Sequence, residues 1–108
     1  MSGVFEEREE SFEKRFVINE EVQFKALARR NKLVGLWAAS LLGYDGEAAK
    51  AHADALVEAQ FGRGDDGALA AELLGELSRA GVKISAHRIR RKMDQAMAQA
   101  IAGIQAGQ

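Results

Sequence analysis

Apolar residues recur at three- and four-residue spacing along most of this chain, and no stretch alternates every second residue. Such spacing puts apolar side chains on one face of a helix, so it predicts amphipathic α-helices and no sheet. The 108 residues include no proline, which removes the strongest helix breaker. The pattern therefore predicts an all-α fold.

Residues that favour helix starts and ends divide the pattern into four segments. Four residues between the segments suit N-caps, namely Asn19, Asp45, Asp66 and Ser85. Two glycines, Gly43 and Gly81, suit the C-terminal ends of helices. We predict helices over about 20–42, 46–61, 68–80 and 86–105. Short connections between four amphipathic helices favour one compact four-helix bundle over residues 19–108.

The predicted core is aliphatic and rich in alanine, because aromatic residues make up only 6% of the chain. On the first helix, the periodicity predicts an inward-facing stripe of seven residues: Phe24, Leu27, Ala28, Val34, Ala38, Leu41 and Leu42.

Residues 1–18 form a separate N-terminal arm. Phe5, Phe12 and Phe16 would share one narrow helical stripe, and five glutamates surround them. Burying the three rings would return roughly 5–9 kcal/mol in total, whereas ordering the backbone costs about 1–2 kcal/mol for each residue. We therefore expect the arm to stay mobile until a partner covers its phenylalanines. The alternative, an extension of the first helix that folds back on the bundle, stays open.

The sequence offers little for catalysis or cofactors. It has no cysteine, and its two histidines, His52 and His87, have no second ligand at the spacing that a zinc site needs. Gly62, Gly64 and Gly67 match a dinucleotide fingerprint in letters, but a predicted helix precedes them where the fingerprint needs a strand. We expect no metal, no cofactor and no enzymatic activity.

Charge and hydropathy argue against membranes and export. The formal net charge is −1, so the whole chain has no general attraction to nucleic acid or anionic lipid. Its longest apolar stretch, residues 33–44, is shorter than the roughly 20 residues that span a bilayer. The acidic start is unlike a secretory signal, so we expect a cytoplasmic protein.

One alternative function rests on a local basic cluster. Residues 72–81 followed by 85–91 can form a helix-turn-helix with Arg88, Arg90 and Arg91 in its second helix. The near-neutral whole chain is unlike a typical DNA-binding module. Nucleic-acid binding, or another regulatory interaction, stays as an alternative function.

Four motifs closely resemble one family: FEERE at 5–9, FEKRF at 12–16, FKALARRNKLVGLWAA at 24–39 and GVKISAHRIRRKM at 81–93. The family is the zeta subunit, the ATPase inhibitor of alphaproteobacterial F-type ATP synthases. The resemblance implies a four-helix fold with a mobile N-terminal segment that becomes helical on binding. That segment would enter the catalytic head at an α/β interface near γ and block hydrolysis more than synthesis. It further implies a monomer when free, bound to the head at the cytoplasmic face of the inner membrane, with no nucleic acid and no membrane insertion.

The resemblance also assigns residues to roles. The inhibitory positions would be Phe5, Arg8, Phe12, Arg15 and Phe16, with Glu6, Glu9 and Glu13 on the polar side of the arm. A second group would make further contacts or serve as scaffold: Lys25, Arg29, Arg30 and Asn31.

Overall fold

The computed structural model of the chain describes residues 19–61, 63 and 65–107. Four helices make up this part: α1 Glu20–Leu41, α2 Gly46–Gln60, α3 Asp66–Arg79 and α4 Ala86–Gln105. These residues contain no strand, which confirms the predicted all-α, four-helix class. The predicted arm, residues 1–18, lies outside the described part of the chain. None of the four helices has the length and hydropathy that crossing a membrane requires.

Side-chain caps set where most of the helices begin. Asn19 Oδ1 accepts from the Val22 backbone N–H at 2.8 Å, and Ser85 Oγ accepts from that of Arg88 at 3.1 Å. α3 begins at residue 66, two residues before the expected start, and the prediction that Asp66 caps it is wrong. Asp65 is the cap, because its carboxylate accepts from the Ala68 N–H at 3.1 Å.

α1 is the central helix, since it packs against α2 on one side and against α4 on another. α3 packs mainly on α4. α1 and α2 run antiparallel and approach closely at Gly35, where an added Cβ would lie 2.8 Å from the Ala53 Cα. Near the other end of the pair, the Phe24 and Phe61 rings meet.

The core is aliphatic and alanine-rich, as predicted. Its central cluster contains ten buried residues: Val34, Ala38, Leu56, Leu69, Ala70, Leu73, Leu77, Ile89, Met93 and Ala96. The prediction that Phe24 faces the core is wrong, because this side chain is 54% exposed. α2 ends at Gln60, and the Phe61 ring just beyond that end meets the Phe24 ring near the start of α1.

Candidate functional site

The eight predicted inhibitory residues of the arm all lie outside the described part of the chain. Their assignment stays a prediction: Phe5, Glu6, Arg8, Glu9, Phe12, Glu13, Arg15 and Phe16. The described part begins at Asn19, directly after the predicted arm. A site that acts together with the arm would lie on the surface around this end of the bundle.

The second predicted group divides into outward-facing and inward-facing residues. Lys25 is exposed and forms an ion pair with Glu21 at 3.2 Å, one helical turn earlier. Arg29 is half-buried, whereas Arg30 and Asn31 are buried. The four residues therefore do not share one contact surface.

Arg30 is the buried centre of a small polar cluster. Its guanidinium donates through Nε and Nη2 to Asn31 Oδ1, at 3.1 and 2.9 Å, and its Nη2 lies 2.9 Å from Asp66 Oδ1. The residue is only 4% exposed, so its charge needs these partners in place of water. The cluster ties the middle of α1 to the first residue of α3.

A groove opens beside this cluster, about 210 Å³ in volume. Leu27 and Ala28 of α1 and Val57 of α2 supply apolar lining, with the carboxylates of Asp65 and Asp66 also at the groove. The rings of Phe24 and Phe61 line it as well and meet edge to face, with centroids 5.5 Å apart and planes at 86°.

Both of these aromatic side chains are largely exposed to solvent. Phe24 is 54% exposed and Phe61 is 69% exposed. Two adjacent exposed phenylalanines beside an apolar hollow are typical of an interaction surface rather than of random surface composition. Sequence reasoning missed the groove because it placed Phe24 in the core.

A second surface is basic. His87, Arg88, Arg91 and Lys92 of α4 surround Trp37 of α1, over a shallow space of about 530 Å³. Lys92 Nζ lies 6.0 Å from the centroid of the Trp37 ring, at the outer limit of a cation–π contact. These side chains include two of the arginines on which the helix-turn-helix alternative depended.

The histidines are apart from each other in the structure. His52 Nε2 lies 3.1 Å from Glu76 Oε1, and its buried Nδ1 has no hydrogen-bond partner among the residues that the structure describes. His87 is exposed. Among the described residues, no group of three or more histidine, aspartate or glutamate side chains is arranged to hold a metal ion.

These features define a small helical protein with an apolar groove at one end, and they favour contact with other protein segments. The family model for ATPase inhibitor subunit zeta matches residues 1–103. The chain therefore belongs to the ATPase inhibitor subunit zeta family. A comparison with the curated proteins gave no match. The family description names an ATPase inhibitor, which favours the predicted inhibitory function over the helix-turn-helix alternative.

Proposed function

We propose that this protein inhibits ATP hydrolysis by an F-type ATP synthase and that its N-terminal arm is the inhibitory element. The observation that carries the proposal is the extent of the family match, which begins at residue 1 and so includes the arm. The stripe of Phe5, Phe12 and Phe16 gives that segment the apolar anchors that an inserted helix needs.

In this mechanism the arm enters the catalytic head at an α/β interface and reaches γ, on the cytoplasmic side. A helix of 16 residues is about 24 Å long, enough to enter a cleft between subunits. The arm becomes helical as it binds, and burial of the phenylalanines offsets part of the ordering cost, with the other contacts to the head supplying the rest. Hydrolytic rotation tightens the inserted wedge, whereas rotation in the direction of synthesis expels it.

The described helices act as the anchor of the arm. Asn19 caps the first turn of α1, and the contact of Arg30 with Asp66 holds α1 against α3. The arm thus starts from a helix that the bundle holds in place. Of the second predicted group, Lys25 and Arg29 have the exposure to touch the enzyme, and Arg30 and Asn31 serve as scaffold.

The test is the double variant Phe5→Ala with Phe12→Ala, assayed against ATP hydrolysis by the cognate enzyme. Full burial of one phenylalanine is worth about 1.5–3 kcal/mol, so the double variant should inhibit at least about a hundredfold more weakly. Tyr44→Ala is the matched control, because it removes an exposed aromatic ring outside the arm. Unchanged inhibition by the double variant would contradict the role of the phenylalanines.

A further inference from the structure

We propose that the groove beside Phe24 and Phe61 is a docking site for residues 12–16 of the same chain, with the Phe16 ring in the groove. The sequence alone left open whether the arm is free or folds back on the bundle. The shape, charge and position of the groove each favour this occupant.

The groove is suited to one aromatic ring. An apolar cavity of about 150 Å³ can hold benzene, and the groove measures about 210 Å³. Leu27 and Val57 supply apolar lining, and the exposed rings of Phe24 and Phe61 would be partly covered by a third ring. Aromatic rings at this spacing favour edge-to-face and offset contacts.

The charge around the groove matches this segment of the arm. Of the described residues that line the groove, three are charged, namely Arg30, Asp65 and Asp66. Because Arg30 pairs with Asp66, the lining keeps one net negative charge, which the Asp65 carboxylate supplies. A segment that carries an aromatic ring next to basic side chains is complementary to this apolar and acidic surface.

Within the arm, only one phenylalanine directly follows a basic pair. Lys14 and Arg15 immediately precede Phe16, whereas Phe5 is followed by Glu6 and Glu7. Phe16 is therefore the complementary anchor, and Phe5 is a poor one.

The distances permit docking within one chain. Phe24 lies five residues beyond Asn19, about 7.5 Å along α1 at 1.5 Å per residue. Three extended residues span about 10 Å, so a chain that reverses before Asn19 can bring Phe16 to the level of Phe24. A tethered segment also has a high effective concentration compared with a second copy of the protein.

Docking is reversible, because burying the Phe16 ring and covering parts of the exposed Phe24 and Phe61 rings gains a free energy of the same order as the cost of ordering residues 16–18. One consequence rests on the proposed function: Phe16 cannot occupy the groove and the catalytic head at once. The larger the fraction of molecules with a docked arm, the lower the apparent affinity of the protein for the catalytic head. Phe61→Ala should release the arm and strengthen inhibition about two- to tenfold.

The docking itself is tested on the free, full-length protein. The chain has no cysteine, so a nitroxide on Ser11→Cys gives a single label in the arm. We expect it to broaden the NMR signals of Leu27, Val57 and Phe61, at all protein concentrations. Adding Phe16→Ala should abolish this broadening, and the matched variant Phe5→Ala should preserve it.

Other results would overturn the proposal. Absence of broadening, or equal broadening with Phe16→Ala, would mean that Phe16 does not dock. Broadening that grows with protein concentration would assign the groove to a second copy, and weaker inhibition by Phe61→Ala would assign it to the enzyme head. Because the NMR measurement needs no enzyme, a protein that docks its arm without inhibiting hydrolysis would contradict only the proposed function.

Discussion

Arg30 shows how a single residue can be misread from sequence. It lies among Arg29 and Lys32, which suggests a solvated basic cluster, yet it is buried. The available signal was its four-residue spacing from Ala26 and Val34, which places it in the buried stripe of α1. A cation in that stripe requires a partner from another element, and the sequence does not show that Asp66 is near.

Replacing Arg30 by alanine should lower the free energy of unfolding by about 2 kcal/mol. The variant loses charge-assisted hydrogen bonds and the packing of the side-chain stem. The loss stays below that of a fully buried pair, because the Asp66 side chain is 55% exposed and water can solvate it. Urea unfolding followed by circular dichroism measures the change.

Arg29→Ala is the matched control, since the neighbouring Arg29 is only half-buried. Its effect should remain within about 0.5 kcal/mol. Equal effects of the two variants would contradict the structural role of Arg30.

Among the elements, the pairing of α1 with α2 depends on small residues at their contact. Local periodicity was sufficient to predict the four helices and the inward positions of Val34 and Ala38 on α1, both of which are buried. It was insufficient for Phe24, whose exposure depends on where α2 ends on the neighbouring helix. The position at which one helix ends beside its neighbour depends on tertiary packing, and the local sequence around Phe24 does not indicate it.

Gly35→Ala should destabilise the protein by about 1–3 kcal/mol, because its Cβ would meet the Ala53 backbone at 2.8 Å. Gly75→Ala is the matched change within α3, where the added Cβ meets only the flexible end of Arg79 at 3.1 Å. That variant should gain about 0.5–1 kcal/mol from better helix propensity. Thermal unfolding of both variants checks the difference, and a stabilising Gly35→Ala would contradict the close approach.

Asp65, the residue before α3, stabilises the start of this helix as its N-cap. Asp65→Ala should cost about 1 kcal/mol, because it removes the cap bond to the Ala68 N–H. Asp45 occupies the same position before α2 but makes no side-chain cap bond, so Asp45→Ala should cost about 0.5 kcal/mol or less. Denaturant unfolding of the two variants compares them, and equal losses would argue against Asp65 as the cap.

In the whole molecule, the sequence predicts the fold class and an N-terminal arm, but it gives no indication of the groove. Periodic apolar residues define each helix locally, and the stripe of Phe5, Phe12 and Phe16 is visible in the sequence itself. The groove is assembled from three helices, with Leu27 from α1, Val57 from α2 and Asp66 from α3. Such a site requires knowing how the helices pack, which periodicity alone does not provide.

In the proposed function, the arm inhibits ATP hydrolysis and the four-helix bundle anchors the arm. The most direct measurement is ATP hydrolysis by the catalytic head of the cognate ATP synthase, titrated with the full-length protein and with a variant lacking residues 1–18. We expect inhibition by the full-length protein and none by the shortened one. Inhibition of equal strength by both would contradict the role of the arm, and inhibition by neither would contradict the proposed function itself.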